Sequence, residues 1–548
     1  MKKILCAAAA FAVTAGLAAC NGGTDFSAQT PVDDLKTATP IKHLVVIYGE
    51  NVSFDNYYGT YPTATNPVGE PQFTAKAGTP AIRGFTPALL NNNPNLTNAA
   101  NGTGVSNPFR LDRSQAATAD MNHDYTAEQL AYDNGAADLF PKFTGTAETG
   151  GTGAFGTTGL VMGYYDGNTV TALWNYSQHF AMSDNAYSDQ YGPSTPGAIN
   201  VIAGQTNGFV LGKSSFPGEF IDDGQGGLTL TGDIDPTGDP CSSTTDFGSF
   251  SGKNIGDLLN DQGVTWGWFE GGFSLSVMNS NGSTGCGRTT TSSVTNATKV
   301  DYIPHHQPFQ YYASTANLKH LRPNSPNTIG IKGDQGNHQY DLTDFFAAVK
   351  AGNYPAVSFL KASGFQDAHA GYSDPLDEQT FVTEVINFLE QQPDWKSTAV
   401  LIVYDDSDGW YDHQFATVGN GSFDATVDQL TASGACGVKG TTAQADGVAG
   451  KGAVNGRCGP GARQPFLVVS PYAKANFVDH TLITQASVVR FIEDNWLGGK
   501  RLGGGSFDAS SGSIDGMFDF AGGAKNPVLF LDTDLGTPVT TPSSDLPK

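Results

Sequence analysis

Basic residues are scarce in this chain of 548 residues: 29 Lys and Arg stand against 53 Asp and Glu, for a formal net charge of −24. Charged residues of both signs make up only 15% of the chain and 68 residues are glycine, which indicates a loop-rich protein. A nucleic-acid-binding surface needs an excess of positive charge, so this composition argues against one. A site for an anionic ligand would have to be made locally positive, most simply by a bound metal ion and histidines.

The first 20 residues contain an apolar run, 4–19, that is too short to argue for a membrane span. The run follows Lys2 and Lys3 and ends in Leu-Ala-Ala-Cys at Cys20, a pattern typical of an export signal of the lipoprotein type. We therefore predict a signal peptide over 1–20 and a lipid anchor on Cys20, with ordinary signal-peptidase cleavage as the alternative. The protein is expected to be exported, as a periplasmic, membrane-anchored or secreted protein.

Cysteine is also infrequent, with six residues in the chain, two of them in the predicted signal and processing site. The spacing of the other four does not fit a zinc site. Four cysteines in an exported chain predict two disulfides. Proximity in the sequence favours Cys241 with Cys286 and Cys436 with Cys458.

Apolar runs and helical spacing alternate along the chain, which predicts an α/β protein. Four runs are typical of strands buried in a parallel sheet: 44–48, 356–360, 399–404 and 466–470. Helices are predicted around 381–389 and 488–496, the second with Ser487 as its cap. Stretches rich in Gly, Asn, Thr and Pro predict loops or insertions over 65–118, 205–300 and 415–462. The expected organisation is a linker over 21–40, one folded domain over 41–535 and an acidic tail over 536–548.

Acidic and amide residues follow two of the predicted strands. Glu50 and Asn51 come after the first strand, and Asp405, Asp406 and Asp408 come after the third. In open α/β sheets the carboxyl ends of the strands bind ligands. Three or four oxygen ligands at this edge would suit a divalent cation, although loop acids that cap helices or face water would look the same in sequence.

A Pro-bounded turn, Tyr191-Gly-Pro-Ser-Thr-Pro-Gly197, precedes an apolar segment. Such a turn can present the Ser194 hydroxyl at the start of a helix, whose free N–H groups favour a phosphate. A serine that also contacts a metal can act as a nucleophile, while a plain helix cap is the alternative role.

Four histidines lie in loop-like sequence: His123, His305, His306 and His369. As imidazolium groups they would suit the binding of phosphoryl oxygens and the protonation of a leaving alkoxide. The alternative for each is an ordinary surface residue.

The segment from His43 to Gly59, HLVVIYGENVSFDNYYG, resembles the opening signature of the phosphoesterase family that contains bacterial phospholipases C and AcpA-type acid phosphatases. The similarity continues in family order through the motifs at 122–124, 162–165, 192–194, 404–413 and 459–463. The resemblance implies an alkaline-phosphatase-like fold, with a central, mostly parallel sheet flanked by helices and long loop insertions. It also implies that 41–535 is a phosphoesterase catalytic domain.

The resemblance further implies a set of site residues. Carried over by position, the metal ligands, which include the nucleophile, fall on Glu50, Asn51, Ser194, Asp405 and Asp406. The family's phosphate-pocket histidines match His123 and His369, which we assign to catalysis, and His305 and His306, which we assign to substrate binding. One divalent metal ion is expected, with calcium, magnesium or manganese favoured by the oxygen ligands.

Departures from the commoner phospholipase pattern resemble the acid phosphatase branch: Val52, Thr195 and the segment Asp405-Asp-Ser-Asp-Gly409. The sequence therefore predicts hydrolysis of phosphate monoesters through a phosphoserine intermediate. Two alternatives remain open: a phospholipase C or sphingomyelinase, and a non-catalytic surface lipoprotein. The expected ligand is a phosphate ester, either a small molecule or a phospholipid head group, and no nucleic acid.

Overall fold

The computed structural model describes residues 30–145, 153–214, 216 and 218–547. The predicted signal 1–20, its anchor residue Cys20 and the first part of the predicted linker lie outside these ranges. Within them, no helix combines the length and the apolar character that crossing a bilayer requires.

The strands in the described ranges are mostly short. In chain order they are β1 His43–Gly49, β2 Phe109–Arg110, β3 Gly163–Tyr164, β4 Ala181–Ser183, β5 Ala186–Tyr187, β6 Asn207–Lys213, β7 Phe220–Asp222, β8 Leu228–Leu230, β9 Asp235–Pro236, β10 Phe247–Phe250, β11 Trp266–Glu270, β12 Thr289–Thr291, β13 Thr298–Val300, β14 Gln339–Asp341, β15 Val357–Lys361, β16 Thr398–Tyr404, β17 Phe466–Val469, β18 Phe477–Asp479 and β19 Ile483–Thr484.

The α-helices vary from a single turn to 16 residues. They are α1 Phe54–Tyr58, α2 Pro87–Asn91, α3 Pro94–Thr97, α4 Tyr125–Tyr132, α5 Phe140–Phe143, α6 Thr171–His179, α7 Ser194–Ala203, α8 Ile255–Gln262, α9 Leu342–Lys350, α10 Pro375–Glu390 and α11 Ala486–Trp496.

An eight-stranded sheet in the order β14-β11-β15-β1-β16-β17-β4-β18 forms the centre of the molecule. Its first five strands are parallel, β17 is antiparallel to both neighbours, and β18 is parallel to β4. Helices contact this sheet, among them α9 on β11 and β14 and α6 on β4 and β17. The predicted class, α/β with a mostly parallel sheet flanked by helices, is confirmed.

The four predicted central strands are confirmed as β1, β15, β16 and β17, and every residue of these strands is buried. Apolar side chains on both faces of β1 and β16 explain why their sequences read as continuous apolar runs. The predicted helices are present within α10 and α11. The predicted cap Ser487 is wrong, because α11 begins at Ala486 and the Ser487 hydroxyl instead accepts a hydrogen bond from the N–H of Thr484.

The prediction of loops over 205–300 is wrong in part. This stretch forms a second sheet, β7-β8-β6-β10-β9, together with helix α8 and the strand β11 of the central sheet. In this second sheet β7 to β10 have two to four residues each, and the seven-residue β6 carries two glycines, so these strands lack the long apolar runs that mark the central strands.

Both predicted disulfides are present, Cys241–Cys286 and Cys436–Cys458. Each closes a loop within one of the two Gly-rich stretches, 205–300 and 415–462. Each disulfide stabilises the folded state by lowering the entropy of the unfolded chain. This effect adds to the apolar packing of these loop-rich stretches.

Helix α10 ends at Glu390, a buried carboxyl whose two oxygens accept from the N–H of Leu529 at 2.9 and 3.0 Å. Burial raises the pKa of Glu390 from 4.5 to about 8. The folded state therefore keeps a proton on Glu390 at pH values where the unfolded chain has released it. The contribution of protonated Glu390 to the free energy of unfolding is full below about pH 4.5 and is lost as the pH rises through about 8.

We expect the free energy of unfolding to fall by about 2 to 4 kcal/mol between pH 5 and 8.5 through this group. Glu390→Gln, which stays neutral, should flatten that slope in urea unfolding curves measured across the range. Asp515→Asn, at an exposed carboxylate, is the matched control and should leave the slope as in wild type. An unchanged slope in Glu390→Gln would show that Glu390 does not carry the effect.

Candidate active site

Glu50 and Asp405 follow two adjacent parallel strands. β1 and β16 pair in register from His43 with Thr398 to Gly49 with Tyr404. Because both strands end at the same edge of the sheet, the next residues emerge side by side. The N–H of Asn51 donates to Oδ1 of Asp405 at 2.8 Å. The structure thus brings together residues 50 and 405, as the strand-end pattern predicts.

The Ser194 hydroxyl points into this group of oxygens. Its Oγ lies 3.1 Å from Oε2 of Glu50, 3.1 Å from Oδ2 of Asp406 and 3.4 Å from Oδ1 of Asn51. A hydroxyl has one proton and donates to one of these oxygens at a time. The three oxygens of Glu50, Asp406 and Asn51 around this one hydroxyl are therefore better explained by a shared cation than by hydrogen bonds alone.

Two glycines allow helix α7 to approach the strand ends. Gly192 has φ +117°, and a Cβ there would lie 3.0 Å from the carbonyl oxygen of Thr231. A Cβ on Gly197 would lie 2.3 Å from the carbonyl oxygen of Asp405. The missing side chain at 197 thus lets the first turn of α7 pack directly on the backbone that carries Asp405. Ser194 is the first residue of α7 and is not its N-cap.

The helix start differs from the expectation in one respect, because the Thr195 N–H is not free for a phosphate. Both the N–H and the hydroxyl of Thr195 donate to Oδ1 of Asp233, at 2.9 and 2.8 Å. The carboxylate already satisfies one donor of the helix N-terminus. Phosphate binding would therefore depend more on the surrounding cationic groups than on this N–H.

Two of the three aspartates after β16 accept hydrogen bonds from the backbone, while Oδ1 of Asp408 accepts from Nδ2 of Asn51 at 3.1 Å. Oδ1 of Asp405 accepts from its neighbour Asp406 N–H at 2.7 Å, and Oδ1 of Asp406 accepts from the N–H of Asp408 at 2.6 Å. Oδ2 of Asp405 is buried and receives no hydrogen bond from the residues that the structure describes. A buried carboxylate oxygen without a donor is costly unless a cation binds it. The donor set, all oxygen and almost fully buried, therefore fits a divalent metal ion.

The raised pKa values of two of these carboxyl groups also favour a bound cation. Burial and the charge of Asp405 raise the pKa of Glu50 well above its usual range. Burial and Asp405 likewise raise the pKa of Asp406. Carboxyl groups in such a setting resist ionisation until a nearby positive charge favours the anion.

Lys361 is a site residue that the sequence reasoning missed. It is the last residue of β15 and pairs with Tyr48 of β1, so it reaches the same edge of the sheet as Glu50. Its Nζ lies 3.0 Å from Oε1 of Glu50 and 3.4 Å from Oδ2 of Asp367. A sequence signal existed: a lysine directly after the apolar run 356–360.

Two of the predicted histidines contact members of the predicted set of metal ligands. Nε2 of His123 lies 3.3 Å from Nδ2 of Asn51, and Nδ1 of His123 lies 3.5 Å from Oδ1 of Asp408. Burial opposes a charge on His123, but the carboxylates of Asp406 and Asp408 outweigh it and raise its pKa well above the usual value. Nδ1 of His306 lies 3.3 Å from Oε1 of Glu50.

The other two histidines are set further out. The ring of His369 lies 6.0 Å from that of His123, and its Nδ1 donates to the carbonyl of Ala370 at 2.6 Å. His123, His369 and Asp408 form a group in which the atoms able to bind a metal lie within 4.8 Å of one another. His305 pairs with Asp235 at 3.3 Å, so it joins the site through its contact with the ring of His306.

A separate acidic group, Asp55 with Asp412 and His413, also has metal-like spacing. Arg463, however, is buried between these carboxylates. Its Nε lies 3.1 Å from Asp412 and its Nη2 lies 3.0 Å from Asp55, and the guanidinium stacks over Phe54. Because the guanidinium already balances both carboxylates, we assign this group a structural role.

Replacing Arg463 by Met should leave the buried Asp412 without its counter-charge and Asp55 with His413 as its remaining cationic partner. We expect the free energy of unfolding to fall by about 3 to 5 kcal/mol, measured by urea denaturation at neutral pH. Lys525→Met, which breaks the exposed ion pair with Asp519, is the control and should cost less than about 1 kcal/mol. Equal losses in the two variants would contradict the structural role.

A model of the phosphoesterase family matches residues 41–497. The chain belongs to the phosphoesterase family. This phosphoesterase is therefore a hydrolase that acts on phosphate esters, and the predicted family and enzyme class are confirmed.

Curated relatives align over most of this phosphoesterase. Phospholipase C A of Mycobacterium tuberculosis is 24% identical over 474 residues, which cover 82% of this chain and 72% of that protein. Non-hemolytic phospholipase C of Pseudomonas aeruginosa is 21% identical over 531 residues, covering 93% of this chain and 61% of that protein. A crystal structure of Ps i-CgsB aligns with 62% of this chain and 70% of that chain at 11% identity and a TM-score of 0.27.

Proposed function

We propose that this phosphoesterase is a metal-dependent acid phosphatase, built on an alkaline-phosphatase-like fold, that hydrolyses phosphate monoesters through a phosphoserine at Ser194. The observation that carries the proposal is the position of the Ser194 Oγ at the start of α7, 3.1 Å from carboxylate oxygens of both Glu50 and Asp406. A serine on an ordinary surface turn has no such surroundings.

The metal ligands are proposed to be Glu50, Asn51, Ser194, Asp405 and Asp406. These oxygen donors favour calcium, magnesium or manganese. When bound, the cation would supply Lewis-acid chemistry, lowering the pKa of the serine hydroxyl and balancing charge on the phosphoryl oxygens.

The chain's own residues account for the proton transfers. Ser194 Oγ forms the bond to phosphorus while the bond from phosphorus to the leaving oxygen breaks, and the serine proton passes to a neighbouring carboxylate, Glu50 or Asp406. One of the two catalytic histidines, His123 or His369, donates the single proton that the leaving alkoxide takes up. Water then attacks phosphorus and the bond from phosphorus to Ser194 Oγ breaks. The proton held by the carboxylate returns to Oγ, a proton from the water returns to the histidine, and phosphate leaves. His305 and His306 are proposed to bind the phosphoryl oxygens.

The experiment that tests this proposal compares three substrates: an aryl phosphate monoester, an aryl phosphate diester and phosphatidylcholine. We expect kcat/KM for the monoester to exceed that for the other two by about tenfold or more. Rapid acid quenching followed by mass spectrometry should locate a phosphate on Ser194. Preference for phosphatidylcholine would favour the second candidate, a phospholipase C, which the names of the aligned relatives support.

We also propose that the protein is exported and anchored through Cys20. The support is the apolar segment 4–19 that ends in Leu-Ala-Ala-Cys. Metabolic labelling with a radioactive fatty acid should mark the wild-type chain and should fail to mark Cys20→Ser. Labelling of both chains, or of neither, would contradict the anchor.

A further inference from the structure

A buried ammonium group stands beside the proposed metal ligands. Lys361 is fully buried, which is rare for lysine. Removing an ammonium group from water costs several kcal/mol, so it requires close anionic partners. Those partners are Oε1 of Glu50 at 3.0 Å and Oδ2 of Asp367 at 3.4 Å.

Glu50 faces two cationic positions at once. Its Oε2 lies 3.1 Å from Ser194 Oγ on the side of the proposed metal, while its Oε1 lies 3.0 Å from Nζ of Lys361. A carboxylate shared in this way resembles the bridging ligand of two-metal sites in enzymes of phosphoryl transfer, where the ions are about 3.5 to 4 Å apart.

Other groups that suit a divalent ion also surround the Lys361 ammonium. His306 Nδ1 lies 3.3 Å from Oε1 of Glu50 and 3.9 Å from Oδ2 of Asp367. Tyr372 donates to the same Asp367 oxygen at 3.2 Å. Two carboxylates and one imidazole would remain around the space that the lysine side chain fills.

We propose that the ammonium of Lys361 takes the place of a second divalent cation, so that the site works with one metal ion and one fixed positive charge. This inference rests on the proposed metal-dependent function. Lys361 is a positioning residue: it balances Glu50 and Asp367 and keeps Glu50 directed toward Ser194. The fixed charge also excludes a second ion by electrostatic repulsion.

The test is the number of metal ions bound per chain. Purified wild type, Lys361→Ala and Lys361→Asn are equilibrated with excess Mn²⁺, passed through a desalting column and analysed for metal, with affinities measured by calorimetry. We expect one ion in wild type and two in each variant. The double variant Lys361→Ala/Asp367→Asn should return to one ion. Lys299→Ala, at a lysine that packs on Tyr372, is the matched control and should bind one.

The outcomes separate this inference from the proposed function. One ion in wild type and one or none in both folded Lys361 variants would overturn the inference and leave the proposed function standing. No metal in wild type would overturn the proposed metal dependence itself. If circular dichroism shows that both variants are unfolded, wild type is titrated with Mn²⁺ to millimolar concentration: a constant value of one supports the inference, and a second ion overturns it.

Discussion

Ser194→Ala should lower kcat for an aryl phosphate by about 10⁴-fold or more, because the substitution removes the atom that forms the covalent intermediate. The Ser194 Oγ lies within 3.4 Å of three proposed metal ligands, Glu50, Asn51 and Asp406. A water molecule in its place would lack the fixed position at the start of α7. Initial rates with purified protein, together with the acid-quench search for phosphoserine, give the measurement.

A matched serine serves as the control for this variant. Ser470 is buried, and its Oγ donates to the carbonyl of Thr398 at 2.8 Å, at the opposite end of β16 from the site. Ser470→Ala should keep activity within about threefold of wild type, whereas Ser194→Ala should lose it with an unchanged circular dichroism spectrum. If Ser194→Ala retains more than about a tenth of wild-type kcat, Ser194 is not the nucleophile.

Stripping divalent metal from the wild-type protein should abolish turnover and lower Tm. Glu50, Asp405 and Asp406 are buried close together. A bound cation stabilises the folded state because it offsets the repulsion between these carboxylates and the cost of burying them. An ion at a thousand times its Kd stabilises the folded state by about 4 kcal/mol. Dialysis against a chelator, followed by re-addition of Mn²⁺, Mg²⁺ or Ca²⁺, tests both effects, with elemental analysis at each stage.

The control for metal removal is a variant with a weakened ligand set. Asp405→Asn/Asp406→Asn should be nearly inactive with or without chelator and should show little rise in Tm on adding metal. Lys525→Met, whose ion pair lies on the surface, should respond like wild type. Full activity after prolonged chelation, with no metal detected, would rule out the five-residue ligand set.

The parts of the fold that are strongly apolar were predictable from sequence. The strands β1, β15, β16 and β17 are buried on both faces, so each appears as an unbroken apolar run. A run that stops at a cluster of acids marks the carboxyl end of a strand, and this pattern predicted that Glu50 and Asp405 lie at the same edge of the sheet, as they do. Similarly, a Pro-bounded turn before an apolar segment identified the start of α7.

Other features, such as the position of Lys361, depend on contacts between residues far apart in the chain, which the sequence alone does not reveal. The role of Lys361 follows from the strand order β15-β1-β16, which places it beside Glu50 across about 310 residues of chain. Asp408 was seen as a strand-end acid, but its contact with His123 requires the loop 118–124 to fold over the sheet edge. The strands within 205–250 were not predicted because β7 to β10 have only two to four residues and the longer β6 is interrupted by Gly208 and Gly212.

The site also divides into an inner and an outer part. Glu50, Lys361 and Asp405 are attached to three neighbouring strands at the centre of the sheet, while His123, His305 and His306 come from the segments that connect its elements. Changing the length of a connecting segment would therefore alter the approach to the candidate site without moving Glu50, Lys361 or Asp405, whose positions follow from the strand register. Ser194, at the start of α7, depends instead on how that helix packs against the backbone of Asp405.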